Sequence, residues 1–198
     1  MQLSILILTT QNRIEFLSKL LENFTNQIGT EAKMYRNGAV LQMAFPDIEI
    51  LIHTDNFLSV GKKRNELLEA ASGKYLCFFD DDDEPAENYI STLRTAMYEN
   101  PDCVSLRGIM TTNGSNPEIF EHSLKYKSWQ TTKNKIKYER YPNHLNCIRT
   151  SIARQFKFPE KNFGEDFDWS KQLHESGLLK TEYYTETILY HYLYRKNK

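Results

Sequence analysis

One segment, Lys74 to Tyr89 (KYLCFFDDDDEPAENY), constrains the fold of this chain more than any other, because a short apolar run stops at four consecutive aspartates, Asp80 to Asp83. A run such as Tyr75 to Phe79 reads as a strand covered on both faces, and it delivers a carboxylate cluster to its own carboxyl end. Ionised carboxylates this close raise one another's pKa, and a cation among them relieves the repulsion. The segment therefore points to a divalent-metal and phosphate site, with Asp80-x-Asp82 as its core. Oxygen ligands suit magnesium or manganese and do not suit zinc well. A run of acids on its own is as readily a solvated face or the charge at a helix start.

The flanking chain repeats the same grammar. Leu3 to Leu8 is a second two-sided apolar run, ending in Thr9-Thr10-Gln11-Asn12-Arg13. A helix is expected next, since Ile14, Leu17, Leu20, Leu21 and Phe24 recur at helical spacing and Asn12 with Glu15 resembles a capping box. Residues 26 to 45 show no clean period and read as a connection ending near Pro46. Ile48 to Ile52 is another strand, stopping at His53-Thr54-Asp55-Asn56. A helix over about 62 to 71 has Gly73 beyond its end, and Pro85 is placed in the first turn of a helix bearing Tyr89, Ile90, Leu93 and Met97. Alternating strands and helices predict a Rossmann-type α/β fold, a mainly parallel sheet with helices on both faces. In such sheets ligands bind beyond the carboxyl ends of the strands, so Thr9 to Arg13, Asp55 and Asp80 to Asp83 are expected to meet in one crevice.

The second half is less regular. Val104 to Thr112 is a candidate strand with Asn113-Gly114 as its turn, and 118 to 140 is polar, aromatic and basic with weak periodicity. A short strand and helix are expected over 145 to 156, a helix opening at Gly164-Glu165-Asp166 and closing at Gly177, and a last strand over 187 to 194. The length of 198 residues suits a single domain spanning 1 to 198. Charge balances at 25 basic against 26 acidic residues, so any polyanion must be met by a local patch. Cys77, Cys103 and Cys147 have no pairing pattern and read as reduced structural thiols. The amino terminus lacks a basic region and its apolar run is too short for a membrane span, so no integral membrane segment and a cytoplasmic location are expected.

No G-x-G-x-x-G follows the first strand, and Gly61-Lys62-Lys63 lacks the glycine and hydroxyl of a P-loop, which removes the main support for dinucleotide and NTPase readings. What the residues do resemble is glycosyltransferase family 2 with the GT-A fold. The resemblance rests on SILILTTQNR, a strand ending at Asp55, GKKRNELLEAASGKYLCFFDDDD, and GEDFDW some eighty residues later, and it covers nearly the whole chain. It implies a GT-A-like fold with a small acceptor-side region, residues 1 to 100 binding a nucleotide sugar and 101 to 198 holding the acceptor and the base.

By the same resemblance, Thr9, Gln11 and Arg13 line a nucleoside pocket, Asp55 contacts the nucleobase, and Lys63, Arg64 and Asn65 lie near nucleotide and sugar. Asp80 and Asp82 are the D-x-D pair, the first near the ribose and the second on the metal, with Asp81 between them in the nucleotide site. His191 is placed like a histidine that completes the metal shell in some members. Asp166 matches the catalytic base and Glu165 its neighbour in acceptor or donor contact. The chain departs from the family pattern in having one acid, Asp55, where two are usual. The implied reaction is a metal-dependent (Mn2+ or Mg2+) single displacement, with inversion, from a nucleoside diphosphate sugar, a UDP-sugar by preference, to an acceptor hydroxyl.

Bland readings stand beside several of these roles. His191 among Tyr190, Tyr192 and Tyr194 is as readily a packed residue, Lys63 and Arg64 are otherwise exposed helix cations, and His144 is either a wall of the acceptor site or a loop residue. Lys125, Lys127, Lys133, Lys135, Lys137 and Arg140 interleave with Tyr126, Trp129 and Tyr138, a mixture that suits sugar stacking or a polyanion. A glycan or other hydroxyl acceptor is the favoured partner, and a nucleic acid acceptor such as a modified DNA base is less favoured. The rival functions are a sugar nucleotidyltransferase and a non-catalytic sugar-nucleotide or polyanion binding module.

Overall fold

The three apolar runs become the centre of the molecule. In the computed structural model, which describes residues 1–195, β1 (Leu3–Leu8) lies between β4 (Ile48–His53) and β5 (Tyr75–Asp80), parallel to both. Alternation along each strand feeds two cores. Leu3, Ile5, Ile7, Ile50, Ile52, Cys77 and Phe79 face one side, packed by α1 (Ile14–Ile28) and α3 (Tyr89–Tyr98). Leu6, Leu51, Leu76 and Phe78 face the other, packed by α2 (Val60–Ala70) and α5 (Glu165–Ser176), whose Trp169 is fully buried. Burial on both faces is why these strands read as unbroken apolar runs.

The helices start and stop for local reasons. Helix α1 buries Leu17, Leu20, Phe24 and Ile28 and ends at Gly29, whose φ of 75° is cheap only for glycine. The expected capping box is not made: a 3-10 turn over Gln11–Arg13 leads into the helix, and Asn12 instead accepts from Thr10 Oγ1. Helix α2 is capped by Ser59, whose hydroxyl accepts from Lys62 N at 3.2 Å.

Residues 26 to 45 depart from expectation. They hold a hairpin, β2 (Lys33–Asn37) and β3 (Val40–Ala44), which extends the sheet antiparallel from β4. Its side chains are exposed or half-buried throughout, so no inside-outside alternation marks it. On the opposite flank, β7 (Cys103–Val104), β12 (Ile148–Arg149) and β13 (Glu182–Tyr183) complete an eight-stranded sheet ordered β13-β7-β12-β5-β1-β4-β3-β2. Helix α4 (Thr150–Ala153) follows β12 directly.

A second sheet of six strands is built from β6 (Glu84–Pro85), β8 (Leu106–Thr112), β9 (Ser115–His122), β10 (Gln130–Thr131), β11 (Ile136–Arg140) and β14 (Ile188–Tyr194), ordered β10-β11-β9-β8-β14-β6. Pro85 therefore belongs to an edge strand and not to a helical turn, a setting where the missing N–H costs little. The aspartate run is the joint between the sheets, since β5 ends on Asp80 and β6 begins on Glu84. Asp83 fixes that joint: its carboxylate accepts from Tyr190 Oη and from Leu193 N, each at 2.8 Å, and burial raises its pKa to about 7. It caps no helix, because α3 starts only at Tyr89.

All three cysteines are free and buried. Among the described residues no helix is long and apolar enough to cross a membrane.

Candidate functional site

The polar segments expected to converge beyond the parallel strands are joined by hydrogen bonds. At the end of β1, Thr9 Oγ1 donates to Asp81 Oδ2 at 2.7 Å and Arg13 Nε lies 2.9 Å from both Asp81 oxygens. Arg13 Nη2 also reaches Asp82 Oδ1 at 2.6 Å, and Arg195 Nη1 reaches Asp82 Oδ2 at 3.1 Å. Both guanidinium groups stand over the Phe16 ring, at 5.9 and 4.8 Å from its centroid. Asp81, with 3% of its side chain exposed, is thus a buried charge held by a charge-assisted fork. Two adjacent acids are tolerated here because cations stand against both.

The loop after β4 is organised in the same way. Asp55 Oδ1 accepts from Leu58 N and Phe57 N, each at 2.7 Å, and these bonds lower its pKa. Asp55 N donates to His53 Nδ1, which leaves His53 Nε2 as the donor to Glu66 at 2.8 Å. Gln11 N donates to Asn56 Oδ1, joining this loop to the end of β1.

Lys63, Arg64 and Asn65 are buried despite their polarity, and each is held by a different element. Lys63 Nζ donates to Asp55 O at 3.2 Å. Arg64 Nε donates to Glu165 Oε1 at 3.1 Å, its Nη2 lies 3.8 Å from Asp80 Oδ1, and its guanidinium stands 5.0 Å from the Phe78 centroid. Asn65 exchanges two 2.9 Å hydrogen bonds with the Phe158 main chain. Gly61 allows this docking, since a Cβ there would lie 1.8 Å from Pro159 O. The start of α2 is in this way pinned to residues 158 to 161, which lead into α5.

Helix α5 begins just after Gly164, at φ 72°, and presents Glu165 and Asp166 in its first turn, where the helix dipole favours acids. Glu165 turns inward to Arg64. Asp166 turns to a cavity of about 520 Å3 whose lining also includes Asp80, His144, His122, Trp129, Tyr138, Arg140, Tyr192 and Tyr194. Its Oδ2 is 3.8 Å from His144 Nδ1, too long for a hydrogen bond.

The polar groups lining this cavity are conspicuously unsatisfied. Both ring nitrogens of His144, His122 Nδ1, Trp129 Nε1 and, beside the cavity, Arg64 Nη1 are buried with no hydrogen-bond partner among the described residues. Burial pushes His144 well below the usual histidine range and His122 down to about 3, so both are neutral. Asp80 is 37% exposed, but into the cavity, and its pKa is raised by burial first and then by Asp81 and Asp166 against the pull of Arg64.

The residues singled out in the sequence thus fall into two groups. Thr9, Arg13, Asp81 and Asp82 meet at the strand ends, with Gln11 and Asp55 on the adjoining turns and Lys63 in the first turn of α2. Asp80, Arg64, Glu165 and Asp166 meet at the cavity. His144 is a wall of that cavity. His191 does not line it, being one residue out of phase with Tyr192 and Tyr194 on β14. Arg195, His122 and Tyr192 carried no sequence signal, because their roles arise from contacts distant in the chain. Among the described residues no three His, Cys, Asp or Glu side chains converge on a common point. Asp80 and Asp82 still offer the all-oxygen donor set of a magnesium or manganese site, which commonly uses one or two carboxylates and takes its other ligands from phosphate and water.

The family model described as glycosyl transferase family 2 matches residues 5–160. No curated protein sequence matches the chain. Solved structures of S. aureus TarS residues 1-349 superpose with a TM-score of 0.66 at 16% identity, covering 98% of this chain and 60% of theirs. The same protein in complex with UDP-GlcNAc gives 0.67 at 16% over 100% of this chain, and in complex with UDP 0.65 at 17% over 98%. At these identities the likeness is one of fold, and the chain spans 60% of the length of those structures.

Proposed function

This chain belongs to glycosyl transferase family 2, and we propose that it transfers a sugar from a nucleoside diphosphate sugar, a UDP-sugar, to an acceptor hydroxyl with inversion. The observation that carries this reading is the division of acids around one crevice. Asp81 and Asp82 are tied to cations at the strand ends, whereas Asp166 opens onto a cavity and its carboxylate has no hydrogen-bond partner among the described residues. A displacement needs both kinds of acid, one set to organise the diphosphate and one free carboxylate to take a proton.

In this reading the nucleoside lies across the ends of β1 and β4, beside Thr9, Gln11 and Asp55, and the diphosphate lies over the aspartate run. Arg13, Arg64 and Arg195 are at hand to oppose its negative charge. Asp80 and Asp82 would hold Mn2+ or Mg2+, and the bound ion would neutralise charge gathering on the departing diphosphate. The sugar occupies the cavity, where Trp129, Tyr138, Tyr192 and Tyr194 supply faces for it, neutral His144 supplies one donor and one acceptor for its hydroxyls, and His122 supplies Nδ1. Asp166 accepts the proton of the acceptor hydroxyl as that oxygen attacks the anomeric carbon from the side opposite the leaving group. Glu165 and Arg64 act as positioning residues, fixing the first turn of α5 against the end of β5.

The TarS complexes with UDP and with UDP-GlcNAc support a UDP-sugar as donor. The test is a thermal-shift series with nucleotides and nucleotide sugars, with and without Mn2+. A ligand held at a hundred times its Kd raises stability by about 2.7 kcal/mol. UDP and one UDP-sugar are expected to raise Tm, more so with Mn2+, and that sugar to appear in a product of inverted configuration. No shift with any nucleotide would overturn the reading.

A further inference from the structure

We infer that the acceptor carries an anionic group, a carboxylate or a phosphate, and that Arg140 at the end of β11 receives it. The inference deepens the reading of the cavity as a site of glycosyl transfer and rests on it. Nine arginines lie among the described residues. Eight have acceptors in the protein: Arg13 and Arg195 hold the aspartate run, Arg64 holds Glu165, Arg94 holds Asp47, Arg107 holds Glu121, Arg149 holds Asp102, and Arg36 and Arg154 hold main-chain carbonyls. Arg140 alone has neither a hydrogen-bond acceptor nor an ion pair among them. It is nevertheless half-buried in the cavity wall, where an unpaired charge is costly.

Its setting is that of a held receptor group. The guanidinium carbon stands over the Trp129 ring at 4.6 Å from its centroid and over the Tyr138 ring at 5.7 Å, and its N–H fork has no acceptor among the described residues. That fork matches a carboxylate or phosphate with two parallel hydrogen bonds. Glu118, the other acid in this part of the wall, does not serve as counter-charge, because Lys137 Nζ and Tyr138 Oη already bind its two oxygens. Trp129 Nε1 beside it is a second buried donor without an acceptor.

The anion is assigned to the acceptor because of where Arg140 stands. It belongs to the second sheet and lines the cavity together with Asp166, the group that meets the incoming hydroxyl, whose negative charge acts on it, whereas Thr9, Gln11 and Asp55, beside which the nucleoside lies, are not in that lining. An acceptor gripped there by its acidic group would bring a neighbouring hydroxyl to Asp166.

Tryptophan fluorescence gives the test without requiring turnover. The chain has two tryptophans, and Trp169 is fully buried against Phe158, so a signal that follows a cavity ligand reports Trp129. The intact protein is titrated with glucuronate and glycerol 3-phosphate, and in parallel with glucose and glycerol. At least one anionic probe is expected to bind about tenfold or more tightly than its neutral counterpart, as a charge-assisted pair implies, and the tighter of the two identifies carboxylate or phosphate. Arg140→Gln should lose the preference and Arg140→Lys should keep part of it, with melting curves confirming that each variant folds. If the Gln variant does not fold, the wild-type preference and its reduction in the Lys variant decide. Equal binding of charged and neutral probes would overturn the inference. So would displacement of the anionic probe by UDP, which would put Arg140 in the nucleotide site. A UDP-sugar melting shift on the same samples tests the transfer reading separately.

Discussion

The aspartate run at the strand ends and the cavity below α5 are built from the same kinds of side chain to opposite effect. Past the end of β5 three successive acids each meet a donor: Asp81 is held by Thr9 and Arg13, Asp82 by Arg13 and Arg195, and Asp83 by Tyr190 and the main chain of Leu193. In the cavity, Asp166, His144, His122 and Arg140 face one another without a hydrogen bond between them. Native proteins rarely leave buried polar groups unmade, so the first region reads as a completed frame and the second as one completed by substrate. Change in the frame is expected to show as lost stability or nucleotide affinity, and change in the cavity as lost transfer.

The largest effect is expected in the cavity. Asp166→Asn keeps the shape of the side chain and removes its basicity, and turnover should fall by about 10²–10⁴-fold while the melting temperature stays near that of the parent. Steady-state transfer assays with a matched melt check this, and unchanged turnover would remove Asp166 from the base role.

Next is the pair that joins the two regions. Glu165→Ala leaves Arg64 buried without its carboxylate, and breaking a buried pair from one side costs about 3 kcal/mol or more. Urea unfolding measures the loss. A change below about 1 kcal/mol, the range of surface ion pairs, would show that the pair is not a joint.

The smallest effect depends on pH. His122 is held at about 3 by burial, helped by Arg140, whereas in the unfolded chain it takes up a proton below about 6.5. The neutral ring therefore contributes fully above pH 6.5, and that contribution is lost as pH falls, by up to about 1.4 kcal/mol per pH unit. His122→Gln should narrow the difference in unfolding free energy between pH 7 and pH 5. An unchanged difference would mean that His122 reaches solvent on the acid side.

The two regions also differ in how much of them the sequence disclosed. The frame was legible because β1, β4 and β5 are covered on both faces, which writes them as unbroken apolar runs with polar ends, and because parallel topology brings those ends together. Asp166 was legible as an acid in the first turn of a helix bounded by Gly164 and Gly177. The hairpin β2-β3 was not, since partial exposure erases its alternation. Pro85 looked like a helix starter because proline favours the first turn as much as a sheet edge, and only the pairing of Glu84–Pro85 with Tyr190 and His191 separates the two. The cavity wall was half legible: Trp129, Tyr138 and Arg140 stood out as a basic-aromatic mixture, but that Arg140, alone of the arginines among the described residues, has no hydrogen-bond acceptor or ion pair is a fact of three dimensions. The Asp82–Arg195 contact spans 113 residues and no local pattern encodes it.

Calorimetric titration of UDP in the presence of Mn2+, carried out on the parent protein, on Asp166→Asn and on Asp82→Ala, bears most directly on the division of labour between frame and cavity. The account predicts parental affinity for Asp166→Asn and a loss of about tenfold or more for Asp82→Ala, the scale of one charge-assisted contact. Weakening of UDP binding by Asp166→Asn, with Asp82→Ala binding like the parent, would contradict it.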